Sequence, residues 1–105
     1  MFVETTREGE IAVPLEQWRN ILLDAANLIE QHGHCKNSLQ TESGNLCAVG
    51  ALNMAETGNA RKSGSDVVAW GMLKEAVGGD IVDWNNAPER TATEVTGLMR
   101  KAARS

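Results

Sequence analysis

Apolar residues recur along the first third of the chain at Leu15, Trp18, Leu22, Ala25 and Ile29, with Ile21 and Leu28 widening the same stripe. Alternating steps of three and four are the signature of one buried face on a helix. The pattern predicts a helix over residues 14–32. Pro14 suits the first helical position and Gly33 a left-handed stop, while Glu16, Asp24 and Glu30 fall on the wet side. The second periodic stretch, 46–56, has almost no polar face: Leu46, Cys47, Ala48, Val49, Ala51, Leu52, Met54 and Ala55 surround it. A helix apolar all round is buried, so this segment is the expected centre of the domain. Its small residues Ala48, Gly50, Ala51 and Ala55 are expected to let neighbouring helices approach closely.

A third helix is expected over about 67–77, capped by Asp66, with Val67, Trp70, Leu73 and Val77 facing inward and Gly78-Gly79 ending it. A short helix or turn at 81–85 presents Ile81 and Trp84. Pro88 then pushes Ala87 out of helical geometry. Thr91-Ala92-Thr93-Glu94 reads as a capping box opening a last helix with Ala92, Val95, Leu98 or Met99, and Ala102 on its buried stripe. Between these elements, 34–45 reads as a loop and 57–65 as a Gly/Asn/Ser linker, expected to be the most mobile internal segment. Residues 1–13 read either as a β-hairpin around Arg7-Glu8-Gly9-Glu10 or as a loose arm. The expected fold is therefore mainly α. It is a compact bundle of four to five short helices around a buried central helix (14–105), with a hairpin or arm at 1–13.

Composition adjusts this picture in three ways. The chain has 105 residues, enough for one modest core. With three Trp, one Phe and no Tyr, that core must be aliphatic, with Trp18, Trp70 and Trp84 as its expected large pieces. The net charge of −4 argues against a duplex-binding surface, although Arg90, Arg100, Lys101 and Arg104 give the last segment a basic end. No apolar run of about eighteen residues spans a membrane, and Met1-Phe2-Val3-Glu4 does not read as a signal peptide. A cytoplasmic location is expected, with both cysteines reduced.

The densest stretch is Trp84-Asn85-Asn86-Ala87-Pro88-Glu89-Arg90-Thr91. Asn85 and Asn86 together offer four donors and two acceptors in a tight corner. They either satisfy the backbone of adjacent loops or line a polar pocket beside Trp84, closed by the 34–45 loop. In the second case Trp84, Asn85, Asn86 and Arg90 are the ligand-binding candidates, with Arg90 and the amides opening the last helix suited to an anion.

Cys35 with His34 or His32 supplies the residue types of a cysteine nucleophile and its base. Cys47, near the start of the second helix, stands where a thiolate is favoured, but the apolar surroundings fit an inert thiol better. His32, His34, Cys35 and Cys47 are the only soft metal ligands. Their spacing does not match zinc ribbons or fingers, and His32 also suits the negative end of the first helix. The residues call for no cofactor. Gly78-Gly79-Asp80 is not a phosphate loop, the acids show no glycosidase pairing, and the Pro-containing corner counts against a helix-turn-helix.

The strings Leu23-Asp24-Ala25-Ala26-Asn27-Leu28-Ile29-Glu30, Gly33-His34-Cys35, Cys47-Ala48-Val49-Gly50-Ala51-Leu52 and Trp84 to Thr91 with Glu94-Val95 resemble a family of small proteins from actinobacteria and their bacteriophages that has no assigned function. The resemblance spans roughly residues 20–103. The family often carries Trp where His34 stands and Asp where Asn86 stands, so no role needing an acid at 86 carries over. What the resemblance implies is a setting, phage or host cytoplasm, and no reaction. A small domain without a catalytic constellation in that setting is expected to be a non-enzymatic module that binds a host or phage protein. Its expected surfaces are residues 2–13, the basic last helix and the 57–65 linker, with a homodimer through the edge of residues 2–13 as one outcome. The alternative is a small-ligand or cysteine-dependent site around Cys35, Asn85, Asn86 and Arg90.

Overall fold

The first helix, α1 (Gln17–His32), buries Ile21, Leu22, Ala25, Ala26 and Ile29 along one face, as the three-four spacing requires. In the computed structural model, which describes residues 16–105, this face is the hub of the bundle. It packs most extensively against α5 (Ala92–Ala103) and α2 (Ala48–Thr57), and also meets α3 (Val67–Val77). The short α4 (Ile81–Asn86) closes against α2 and α3. The described residues are mainly helical, with only two isolated β-bridges, His34 with Leu46 and Gln40 with Leu46. The hairpin expected for 1–13, together with Pro14 and Leu15, lies outside the described residues.

Helix α2 is the most completely buried element: every residue from Leu46 to Asn53 is buried. It starts two positions later than the apolar run suggests, because Cys47 is extended and serves as the N-cap, its sulfur accepting from the Gly50 N–H. The fully buried large side chains are Leu22, Ile29, Leu46, Leu52, Leu73, Met99 and Val95, each contributing about 1.5–3 kcal/mol relative to exposure. The tryptophans are not among them. Trp18, Trp70 and Trp84 are half-buried at the margin of the core. Trp18 and Trp84 are each covered by a guanidinium, Arg19 at 4.2 Å and Arg90 at 4.1 Å from the ring centre. A core this small has room for aliphatic side chains, and the indoles gain more from an amphipathic edge with a cation overhead.

Two inward positions also shift. Val67 is 79% exposed and its place is taken by Ala69, buried together with Leu73. Ala92 is exposed, and α5 instead buries Val95, Thr96, Met99, Ala102 and Ala103. Both misplaced residues stand in the first turn of their helix. The caps follow the sequence closely: Asp66 accepts from Val68 and Ala69, Gly78 ends α3 in left-handed geometry, and Thr91 with Glu94 makes both bonds of the capping box. Gly33 does stop α1, but at φ 92 and ψ 165, an extended conformation of positive φ rather than the left-handed helical one.

The 57–65 segment is held more firmly than its composition suggests. Asn53 Nδ2 donates to the carbonyl of Ala60 (2.9 Å), and Ala60 itself is buried. The Glu56 carboxylate accepts from the backbone N–H of Ser65 (2.7 Å) and of Asp66 (3.0 Å). The basic end of α5 is likewise partly neutralised: Arg100 makes a two-pronged contact with Glu30 (2.7 and 2.8 Å) and also donates to Asn27. Among the described residues, no helix is long and apolar enough to cross a membrane.

Gly50 is where backbone packs directly on backbone. A Cβ there would fall onto the backbone carbonyl of Leu39. The close approach expected of the small α2 residues is thus made here by a loop and not by a helix. Gly50→Ala is expected to cost at least about 2 kcal/mol in urea unfolding. Gly71→Ala, in an open helical position with nothing within 4 Å, should add about 0.5–1 kcal/mol. Glu56 provides a pH test. The N–H of Ser65 foremost, then that of Asp66, holds its pKa below the ordinary 4.5 against the opposing effect of burial. A carboxylate whose folded pKa is depressed contributes stability above its unfolded value and loses it as pH falls through the folded one. Stability should therefore decline below about pH 4.5, and Glu56→Gln should flatten that decline in pH-dependent thermal melts.

Candidate functional site

Helix α2 begins inside the protein, where its unpaired N–H groups have no water to turn to. Three are satisfied from three different places. Cys47 N–H donates to the Leu39 carbonyl (3.3 Å), Ala48 N–H to Asn85 Oδ1 (3.0 Å), and Gly50 N–H to Cys47 Sγ (3.2 Å). Asn85 is the junction. It is 1% exposed, and its Nδ2 donates to the Cys35 carbonyl (3.1 Å) and to Asn86 Oδ1 (3.1 Å). Its Oδ1 also meets His34 Nε2 at 2.7 Å. Ala48 can only donate and the Cys35 carbonyl can only accept, so the amide orientation is fixed and His34 must present its Nε2 proton.

The rest of the corner extends this clasp. Asn86 Oδ1 accepts from the Asn37 backbone N–H (2.9 Å), and Asn37 sits at φ 63, a conformation asparagine tolerates. Lys36 Nζ donates to the carbonyls of Ala87 (2.7 Å) and Pro88 (3.0 Å). Arg90 lies on the Trp84 ring, donates through Nε to the Trp84 carbonyl (2.9 Å), and approaches Glu94 at 3.6 Å. The corner thus binds α4 to the 34–46 loop and to the start of α2.

Beside the clasp lies a cleft of about 180 Å³ lined by Asn37, Ser38, Leu39, Cys47, Val49, Val82, Asn85 and Asn86. Its walls are almost wholly apolar. Asn85 and Asn86 border it, but the hydrogen bonds just described occupy the whole Asn85 amide and the Asn86 Oδ1. Trp84 and Arg90 do not reach this cleft. They line a shallow hollow on the α5 side, with Thr93, Glu94, Gly97 and Lys101. The four candidates of the corner are therefore divided between two surfaces.

The sulfur and imidazole groups are similarly placed. Cys35 is buried, and its one S–H faces the carbonyls of Ser38 and Asn45, both at 3.3 Å, and is shared between them. Burial foremost, then the neighbouring Cys47, pushes its pKa up. His34 donates to Asn85, while His32 is exposed in the last turn of α1. Both cysteines are free thiols, and among the described residues no three His, Cys, Asp or Glu side chains group as metal ligands would. The sequence reading passed over Leu39, Val49, Val82 and Lys36. Gly50 within an apolar helix was the available signal for Leu39, and a second aliphatic residue directly after Ile81 on α4 was the signal for Val82.

The model of a family of unknown function, DUF6197, matches residues 14–105. No curated protein and no solved structure matches the chain.

Removing the junction tests the clasp. Asn85→Leu leaves the Ala48 N–H and the Cys35 carbonyl buried without partners. At about 1–3 kcal/mol per abandoned group, the substitution should cost about 3 kcal/mol or more in chemical denaturation. Arg90→Ala, at the half-exposed edge, should cost about 1 kcal/mol.

Proposed function

Because the chain belongs to DUF6197, a family of unknown function, we propose its role from the cleft: it is a non-enzymatic module that binds another protein by accepting one of that protein's apolar side chains between α2, α4 and the 37–39 loop. The observation that carries this reading is the lining. Leu39, Cys47, Val49 and Val82 present an apolar surface, and Val82 is left 48% exposed although it is a large aliphatic residue on a structured helix. A cavity of about 150 Å³ accepts a benzene ring, so 180 Å³ suits an aliphatic or aromatic side chain.

The polar groups at hand favour binding over catalysis. Asn85, Asn86 and His34 are engaged with one another and with backbone groups, and the single Cys35 S–H is shared between two carbonyls. A nucleophile needs a free thiolate and an adjacent base. Asp80, the N-cap of α4, and Asp83 in its first turn lie exposed on either side of Val82 in the chain, and the chain carries a net charge of −4. The partner segment is therefore an apolar anchor with basic neighbours. The resemblance to phage and actinobacterial proteins is what favours a partner from a bacterial host or its phage.

The test compares two exposed valines. Val82→Asp puts a charge into the cleft, whereas Val67→Asp alters a more exposed valine on α3, away from the cleft. Partners captured by the wild-type chain from a bacterial lysate, then purified, should bind Val82→Asp at least about tenfold more weakly, the loss of about 1.4 kcal/mol or more typical of a central apolar anchor. Val67→Asp should bind within about twofold of wild type. Unchanged binding by Val82→Asp, with its helical circular dichroism intact, would refute the reading.

A further inference from the structure

The bridge between His34 and Leu46 is parallel. Two bonds close it: Leu46 N–H to the Gly33 carbonyl (2.8 Å) and Cys35 N–H to the Leu46 carbonyl (3.0 Å). One step along, Asn85 takes the Cys35 carbonyl and the Ala48 N–H that a continued ladder would join, so Cys35 and Cys47 are the residues that directly follow the bridged pair, with Cys47 extended at φ −82 and ψ 174. Paired strands lie about 4.7–4.9 Å apart and opposed residues project to the same face. That spacing falls inside the Cα separation of about 4.4–6.8 Å that a disulfide spans. Both thiols are buried and free, and Cys47 is close enough to bear on the ionisation of Cys35.

We propose that Cys35 and Cys47 form a thiol–disulfide pair that fastens the 36–46 loop to the start of α2 and so sets the shape of the adjoining cleft. This inference rests on the reading of that cleft as a binding site. Cys47 lines the cleft and is the sulfur that a small organic disulfide reaches. Its thiolate attacks one sulfur of that reagent, the reagent's own S–S bond breaks, and the departing half leaves as a thiolate that takes a proton. Cys35, having surrendered its proton, then attacks the Cys47 sulfur of the mixed disulfide and displaces the second half. The two protein thiols are oxidised and the small disulfide is reduced to two thiols.

Closure removes the hydrogen bonds from the Cys35 thiol to Ser38 and Asn45 and alters the Cys47 sulfur that receives the Gly50 N–H. Asn37, Ser38 and Leu39, which line the cleft, lie on the loop so fastened.

The folded chain is incubated with 2-hydroxyethyl disulfide at mildly alkaline pH and analysed by intact mass and peptide mapping. The expected product is an intramolecular Cys35–Cys47 cross-link, lighter by two hydrogens and reversed by dithiothreitol. Cys35→Ser should stop at a mixed disulfide on Cys47. A stable mixed disulfide in the wild-type chain, or cross-links between molecules only, would overturn the pairing, and wild-type mapping decides this even if the serine variant fails to fold. Oxidised and reduced chains are then compared for binding of the purified partner, where a several-fold difference is expected. A cross-link that forms without changing affinity would overturn the control of the cleft. Failure of the binding reading itself shows separately, in the response to Val82→Asp.

Discussion

The N–H of Ala48 opens a helix that starts in the interior, and everything around it is arranged so that this donor has a partner. An unpaired buried amide costs about 1–3 kcal/mol, a large share of what a domain of this size has in reserve. Asn85 resolves the problem from 37 residues away and in doing so spends the rest of its amide on Cys35 and Asn86. One side chain thereby fixes α4 against α2, holds the 34–46 loop between them and sets the tautomer of His34. The cleft beside it exists because these three pieces meet at the clasp without filling the space next to Val82.

The bundle has two centres of different kinds. α1 is the structural hub, since its apolar face meets α2, α3 and α5. α2 is the most buried element, yet much of its cover is a loop, brought close by the absence of a side chain at Gly50. Loops normally run over the surface because their backbone needs water. This one is tolerated against the core because its polar groups are paired with α2, with the α4 corner, and at Gln40 with Arg61.

Much of this was legible in the chain. The spacing of Leu22, Ala25 and Ile29 gave the face of α1, the unbroken apolar run gave the burial of α2, and Asp66, Gly78 and the Thr91–Glu94 pair marked their helix ends, because each is a local rule with a local cause. The density of amides at 84–86 marked the corner, but not that Asn85 reaches Ala48 or that Arg90 turns to Trp84, since contacts of that range depend on how helices dock. Val67 and Ala92 were misplaced for a related reason: periodicity reports which side of a helix faces inward, not whether its first turn is covered, and the three tryptophans pack against the core rather than inside it. The firmness of 57–65 was hidden because composition does not show that Glu56 and Asn53 reach back to hold it.

The long reach of Asn85 bears on the order in which the molecule is made. As the chain leaves the ribosome, α1, the loop and α2 emerge well before α4 does. Until residue 85 is available, the start of α2 must keep its first amide hydrated, and so cannot settle in a dry interior. The nascent chain is therefore obliged to wait, its most apolar helix exposed, for a single asparagine. That makes the last third of the sequence the timing element for the first two.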